Sequence, residues 1–294
     1  MTTVQNLVLS VLAMTVALAF GVAAQPAEKS EPPSRPVEKK TGYAPVNGLK
    51  MYYEISGSGK PAVYIHQAWS HLGAISGLTE NRQWIALDLQ GHGRTADIDR
   101  PMTIEQHADD IAALLKYLEI EQADFFGDSL GGTVAVTMAV RHPDLVRRVV
   151  SYVGPFTPIR GPAPGLTADS DAVKRQRENY QKVAPDPQQW PTLFAKSLKC
   201  AADWKGFSPE ELKAIKAPVL IATGDHDFIP VERYAEWSRM IPGAQLAIIP
   251  DASHFVLMSE PEKLLPTVAA FLDAPISKVP FGTPKTGYYP GVTR

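Results

Sequence analysis

Three residues that lie far apart in the chain have the types needed for nucleophilic hydrolysis. Ser129 lies at the centre of a Gly-x-Ser-x-Gly pattern at residues 127–131, and Asp227 and His254 follow it. A serine hydroxyl is a weak nucleophile and needs a neighbouring base, which in turn needs a carboxylate to fix its tautomer. The set therefore predicts acyl transfer, with Ser129 as nucleophile, His254 as base and Asp227 as the acid that orients the base.

Each of the three residues follows a segment with the composition of a buried strand. Asp124 to Phe126 precedes the serine, and residues 130–141 after it have the composition of a helix. Residues 219–223 precede Asp227, and residues 246–249 precede His254. The carboxyl ends of parallel strands meet at one edge of a sheet, so the three side chains are expected to meet there.

The chain as a whole alternates between short apolar strands and amphipathic helices. This alternation predicts an α/β fold, in which a mostly parallel central sheet carries helices on both faces. The predicted core comprises residues 43–154 and 215–273, with order beginning near Tyr43. Residues 155–214 break the alternation with prolines, charges and helix-like pieces, and we expect them to form a small helical cap.

The motifs together resemble the α/β-hydrolase fold family, and in particular its serine esterases and lactonases. The resemblance rests on the serine motif, a Gly-His-Gly turn at 91–93, Arg-His-Pro at 141–143, the acidic loop at 224–230 and the His254 loop. It implies a nucleophile elbow at Ser129 between a strand and a helix. It also implies that Asp227, rather than Asp225, is the acid.

The resemblance further implies an oxyanion hole made by the backbone N–H groups of Ala68 and Leu130. Members of the family usually have His-Gly in the loop before this alanine, whereas this chain has His66-Gln67. Glycine gives a loop backbone freedom that glutamine lacks. This difference is the feature that favours one alternative function, a catalytically weak ligand-binding homologue.

The predicted function is hydrolysis of carboxylic esters or lactones through an acyl-enzyme, without a cofactor. Carbon–carbon bond hydrolysis and cofactor-free perhydrolysis are alternatives, because they use the same three residues. An aspartate nucleophile at Asp128 is a further alternative, but the two glycines flank Ser129 symmetrically and favour the serine. Asp128 is expected to face the sheet edge and water.

Composition limits the class of partner. The formal net charge is -2 and 45% of residues are hydrophobic, which gives no basic excess for nucleic acid. Trp69 and Phe255 adjoin the predicted loops and are expected to line the substrate pocket, which predicts a small hydrophobic ester as substrate. The histidines and the single cysteine, Cys200, lack metal-ligand spacing, so no metal site is predicted. Nothing in the sequence specifies an oligomeric state.

The two ends of the chain differ from its centre in composition. Residues 7–20 form an apolar run too short for a membrane span, which predicts a signal peptide at 1–24 and a periplasmic or secreted protein. An N-terminal membrane anchor is the alternative; a cleaved signal would leave no stable membrane insertion. Residues 25–42 have the composition of a disordered linker, and 274–294 that of an extended tail.

Overall fold

The computed structural model describes residues 39–72, 81–158 and 167–275 of the 294-residue chain. The predicted signal peptide, the linker up to residue 38 and the tail from residue 276 lie outside these described residues. Among the helices within these ranges, none has both the length and the apolar character needed to cross a membrane.

A single sheet of eight strands runs through the described part of the chain. The strands are β1 (Lys39–Val46), β2 (Leu49–Ser56), β3 (Lys60–Ile65), β4 (Arg82–Leu87), β5 (Ala123–Asp128), β6 (Val146–Tyr152), β7 (Val219–His226) and β8 (Gln245–Ser253). Their order across the sheet is β1-β2-β4-β3-β5-β6-β7-β8. The β1–β2 and β2–β4 pairs are antiparallel, and every later pair is parallel. The predicted fold class is confirmed.

Eight α-helices accompany the sheet within the described ranges. They are α1 (Ile104–Tyr117), α2 (Leu130–Arg141), α3 (Asp171–Val183), α4 (Trp190–Asp203), α5 (Pro209–Ala214), α6 (Val231–Met240), α7 (Val256–Ser259) and α8 (Pro261–Asp273). Helices α3, α4 and α5 occupy the stretch between β6 and β7 for which we predicted a cap. Thr103 begins α1 by accepting a hydrogen bond from the backbone N–H of Gln106, at 3.0 Å.

The first strand begins earlier than the composition suggested. β1 starts at Lys39, inside the stretch assigned to the linker, and pairs in register with β2 from Lys39 opposite Ser56. Lys39 also forms an ion pair with Glu54 at 2.5 Å. Backbone pairing with a neighbouring strand orders these polar residues without requiring a buried side chain, and composition does not reveal such pairing.

The core consists of two apolar clusters, one on each face of the sheet. Alternate residues of β3 enter opposite clusters, with Val63 and Ile65 on one side and Tyr64 on the other. Val134 of α2 belongs to the first cluster and Val268 of α8 to the second. Covering both faces is what allows parallel strands to consist of nearly continuous apolar runs.

A buried ionic cluster links the amino-terminal ends of three strands to the last helix. Asp124 of β5 pairs with Arg82 of β4 and, at 2.7 Å, with Arg147 of β6. Arg82 also donates to the carbonyl oxygen of Leu272, at 2.6 Å, and pairs with Asp273 at 2.7 Å. Arg82 thereby holds the end of α8 against the sheet.

Candidate active site

Ser129, Asp227 and His254 follow the carboxyl ends of β5, β7 and β8 and come together at one edge of the sheet. His254 Nε2 lies 3.0 Å from Ser129 Oγ, and His254 Nδ1 lies 3.0 Å from Asp227 Oδ2. An ionised carboxylate only accepts hydrogen bonds, so it holds the imidazole proton on Nδ1 and leaves Nε2 free to accept the serine proton. The two contacts can therefore move a proton from Ser129 to His254.

The backbone at Ser129 is strained in the way that exposes its hydroxyl. Its φ and ψ are 53° and -112°, which is rare for a residue other than glycine. The turn is so close that a Cβ atom on Gly127 would lie 1.9 Å from the carbonyl oxygen of Gly131. The Ser129 N–H donates to the carbonyl oxygen of Tyr152 at 2.8 Å, which fixes the turn to the neighbouring strand.

The acidic loop distinguishes its two aspartates. Asp227 is fully buried as a side chain, and its second oxygen accepts the Ile229 N–H at 2.7 Å. Asp225 is half exposed to solvent and accepts the backbone N–H of Ala252 at 3.1 Å, a bond that lowers the pKa of Asp225. Asp225 therefore ties two loops together, while Asp227 contacts the histidine.

An aromatic ring that the sequence analysis did not single out packs on the histidine. The ring centroids of Phe228 and His254 lie 4.4 Å apart at an interplanar angle of 31°. Phe255 contacts the imidazole edge-on, with the ring centroids 5.3 Å apart. The sequence could have indicated the Phe228 contact, because Phe228 directly follows the predicted acid and lies in the same loop.

The loop predicted to complete an oxyanion hole turns sharply at residues 67–70. The Ser70 N–H donates to the Gln67 carbonyl oxygen at 3.3 Å, and Trp69 has φ of 63°. Such a turn favours glycine at its third position, where this chain has tryptophan. Gln67 itself keeps a negative φ, so the backbone strain falls on Trp69 and not on the position where the family has glycine.

His66 fixes the orientation of the peptide that follows it. Its Nδ1 lies 2.7 Å from the Gln67 carbonyl oxygen, and its Nε2 accepts the Leu89 N–H at 3.1 Å. The C=O and N–H of a trans peptide point in opposite directions, so the Ala68 N–H is directed away from His66. Leu130 is the first residue of α2, and its N–H is one of the four without a partner inside the helix.

The prediction that Asp128 faces the sheet edge and water is wrong, because its side chain is buried. It is 2% exposed and its Oδ1 has no hydrogen-bond partner among the described residues. Burial, with a smaller contribution from the neighbouring Asp227, raises its pKa to about 7 against the lowering effect of His254. β5 carries alternate residues to opposite faces, which places Asp128 on the same face as Phe126, within the sheet and α8 core.

Two cavities meet at Ser129, and Ala68 also lines both of them. The larger has a volume of about 360 Å³; both predicted pocket residues, Trp69 and Phe255, line it. The smaller has a volume of about 120 Å³ and is lined by Leu130 and by residues of α1 and α4. A concave, largely apolar site with a few polar groups is typical of small-molecule binding.

The larger cavity also contains a charged side chain that the sequence analysis did not single out. Arg175 of α3 lines it, together with the carboxamides of Gln176 and Asn179. From the sequence no basic residue was assigned to the site, and the run of Lys174, Arg175 and Arg177 on an exposed cap helix does not indicate which of them faces it. Only the packing of α3 over the sheet edge reveals the position of Arg175.

Burial favours the uncharged forms of the remaining buried histidines and of the cysteine. Burial lowers the pKa of His92 to about 4 and that of His107 to about 3, and raises that of the Cys200 thiol to about 12. His107 and Cys200 line the smaller cavity. Throughout the described ranges, no three His, Cys, Asp or Glu side chains are grouped as metal ligands would be.

Comparison with known proteins agrees with this fold. The sequence profile of the alpha/beta hydrolase family matches residues 55–267. A 2-(acetamidomethylene)succinate hydrolase from Mesorhizobium japonicum is 28% identical over 256 residues, covering 74% of this chain and 90% of the relative.

Two solved structures share the fold. The enol-lactonase from Burkholderia xenovorans aligns with a TM-score of 0.64 at 24% identity, covering 79% of this chain and all of that one. A thermophilic esterase from Thermogutta terrifontis aligns with a TM-score of 0.64 at 23% identity, covering 80% and 98% of the two chains. The profile match spans well over half of the sequence, and this chain belongs to the alpha/beta hydrolase family.

Proposed function

We propose that this chain is an exported serine hydrolase that cleaves carboxylic esters or lactones through Ser129, His254 and Asp227. The observation that carries the proposal is the pair of 3.0 Å contacts from His254, one to Ser129 and one to Asp227. The enol-lactonase and the esterase that share this fold support the choice of bond.

The first half of the reaction transfers the acyl group to the enzyme. His254 Nε2 accepts the Ser129 proton as Oγ forms a bond to the substrate carbonyl carbon. The N–H groups of Leu130 and Ala68 stabilise the negative charge on the carbonyl oxygen. The bond to the leaving oxygen then breaks, and that oxygen takes the proton from His254.

Water completes the cycle by the same steps. His254 removes a proton from a water molecule that attacks the acyl-enzyme, and then returns the proton to Ser129 Oγ. Asp227 stays ionised and stabilises the imidazolium that forms twice in each cycle. Each oxyanion donor contributes about 10²–10³-fold in rate, so the conformation of the 67–70 turn also affects turnover strongly.

Hydrolysis of p-nitrophenyl esters by wild type and Ser129→Ala tests this proposal. The substitution should lower kcat by about 10⁴-fold or more, because no other group at the site replaces the nucleophile. Ser238→Ala is the matched control: this serine is buried in α6 and bonds only to its own helix, at Ala235. Equal turnover by wild type and Ser129→Ala would refute the mechanism.

A catalytically weak ligand-binding homologue is the second candidate, and the strained turn at Trp69 favours it. Backbone strain at this position costs the folded state of order 1–3 kcal/mol, which a distorted, inactive loop would avoid. Labelling with a fluorophosphonate separates the two candidates. An active site reacts covalently at Ser129, whereas a site without a working oxyanion hole reacts no faster than Ser129→Ala.

Export is proposed from residues 1–24 alone. Their apolar run, followed by small residues, has the pattern of a signal peptide. Amino-terminal sequencing of the protein recovered from its native host tests this. A mature chain beginning near Gln25 supports export by cleavage, and a chain that keeps residues 1–24 supports the membrane-anchored alternative.

A further inference from the structure

The two cavities that meet at Ser129 are different in size and in chemistry. The larger is about three times the volume of the smaller, at about 360 Å³ against about 120 Å³. An ester bound at Ser129 extends in two directions from its carbonyl carbon, one along the acyl chain and one along the leaving alcohol. The two cavities therefore provide separate places for the two parts.

The position of His254 decides which part enters which cavity. His254 lines the larger cavity and is absent from the lining of the smaller one. Its Nε2 must deliver a proton to the leaving oxygen, so that oxygen has to lie on the side of the larger cavity. The acyl chain then extends past Leu130 into the smaller cavity.

The larger cavity has an electrostatic preference. Five residues of α3, at positions 172, 173, 175, 176 and 179, line it at the three- and four-residue spacing of one helix face. Arg175 is the only permanently charged side chain among the described residues that line it, and no carboxylate lines it. Within the described ranges, Arg175 takes part in no ion pair, so its guanidinium is available to a ligand.

From these observations we infer that the preferred substrate is an ester of a short apolar acyl group and a larger alcohol bearing a carboxylate, which binds Arg175. This inference rests on the proposed function and specifies its substrate class. A guanidinium presents two parallel N–H donors that match a carboxylate, and the carboxamides of Gln176 and Asn179 add neutral donors beside it. This proposed substrate differs from the small hydrophobic ester predicted from the sequence.

The smaller cavity limits the acyl group. Met102, Ile104 and Trp204 contribute apolar surface to its lining. An apolar protein cavity of about 150 Å³ can hold benzene, so one of about 120 Å³ suits a chain of about four carbons. Longer acyl chains would have to displace Trp204, which is 9% exposed and packs edge-on against Phe207.

Two matched esters test the charge preference. Butyrate esters of 4-hydroxybenzoate and of 4-hydroxybenzamide have nearly the same shape, and only the first carries a carboxylate. Wild type should hydrolyse the benzoate ester with a kcat/KM at least tenfold higher. Arg175→Gln should remove that preference by raising the KM for the benzoate ester. Arg175→Lys should keep part of the preference, because lysine keeps the positive charge but lacks the two parallel N–H donors of a guanidinium.

The matched control is Arg177→Gln. Arg177 is an exposed arginine of the same helix that does not line the cavity, so the same loss of charge occurs away from the substrate. Equal effects of the two glutamine variants, or equal rates on the two esters by wild type, would overturn the inference. Neither result touches the serine mechanism, which fails only if Ser129→Ala keeps its turnover of the neutral ester.

A series of acyl chain lengths tests the proposed size limit on the acyl group. The acetate, butyrate and octanoate esters of 4-hydroxybenzoate should show a maximum at butyrate and a drop of at least tenfold at octanoate. Trp204→Ala should shift the maximum towards octanoate while leaving the preference for the carboxylate unchanged. An unchanged chain-length profile in this folded variant would contradict the assignment of the acyl group to the smaller cavity.

Discussion

The two ends of strand β5 each bury an aspartate, and they treat the carboxyl group in opposite ways. Asp124, at the start of the strand, is fully buried and paired with Arg82 and Arg147. Asp128, at its end beside Ser129, is 2% exposed and forms no ion pair within the described residues. Burial without a charged partner favours the neutral, protonated form of a carboxyl group. Burial accordingly raises the pKa of Asp128 to about 7.

The difference separates the parts of the strand that serve stability from those that serve the site. At the start of β5 every charge is compensated, as is usual for buried ions. At the end of β5 the unpaired Asp128 lies near a second carboxylate, Asp227, and a strained serine. Perturbed acids and strained backbones are concentrated at functional sites, and here both occur within two residues of each other.

The largest expected effect compares the two acids near His254. Asp227→Asn should lower kcat for ester hydrolysis by about 10⁴-fold, because an asparagine can donate to Nδ1 and select the wrong tautomer. Asp128→Asn should lower it by less than about tenfold, since Asp128 has no direct bond to the histidine. Steady-state kinetics with both variants would show the reverse order if Asp128 were the orienting acid.

The next effect concerns the paired aspartate. Asp124→Ala should lower the free energy of unfolding by about 3–5 kcal/mol, because it leaves Arg82 buried without its main partner. Urea unfolding measures the loss. Asp273→Ala is the control: this partner of Arg82 is 53% exposed, and its removal should cost about 1 kcal/mol or less. Similar losses for both variants would place the stabilisation in the α8 contact rather than in β5.

The pH dependence of stability isolates the unpaired aspartate. The pKa of Asp128 is about 7 in the folded protein and about 3.9 in an unfolded chain. Between these two pH values, Asp128 is protonated in the folded protein and ionised in the unfolded chain. The free energy of unfolding should therefore fall as pH rises from about 4 to about 7 and then level off, by a few kcal/mol at most.

Asp128→Asn should remove this component of the slope and leave the variant more stable than wild type at pH 8. Urea unfolding at pH 5 and pH 8 for both proteins gives the comparison. Parallel slopes in the two proteins would show that Asp128 titrates in the folded state as it does in an unfolded chain.

The smallest effect concerns the second partner of Asp124. Arg147→Gln should lower the free energy of unfolding by about 1 kcal/mol, because Arg82 still compensates the buried carboxylate. Arg147 is itself partly exposed and donates a further bond to the Pro61 carbonyl oxygen at 3.2 Å. Thermal unfolding of the variant beside Asp124→Ala would measure how the two arginines share the compensation.

The elements that position the serine could be predicted from the sequence with little error. The helix after Ser129 spans residues 130–141 as predicted, because a short apolar strand, a glycine-rich turn and an apolar helix leave few alternatives. The strands before Asp227 and His254 were also predicted, although both run a few residues further, to His226 and Ser253. Strand ends that carry polar residues have no apolar signal to define them.

What the sequence did not reveal depends on contacts between distant segments. Asp128 looks like an exposed polar residue in a turn, and its burial follows only from the packing of β5 against β6 and α8. Arg175 is an exposed residue of a polar helix, and its place at the cavity follows from the way that α3 lies across the site. The strain at Trp69 arises because Ser70 and Gln67 close a turn, whatever residue lies between them.

The bonds from Arg82 to Leu272 and Asp273 have a consequence for the time at which this protein can fold. Arg82 lies in the first third of the chain, and its partners are synthesised about 190 residues later. Until α8 has emerged, the apolar cluster that contains Val268 lacks its helix, and the buried arginine lacks two acceptors. Folding can finish only after α8 has been made, and this order is consistent with the export that we propose.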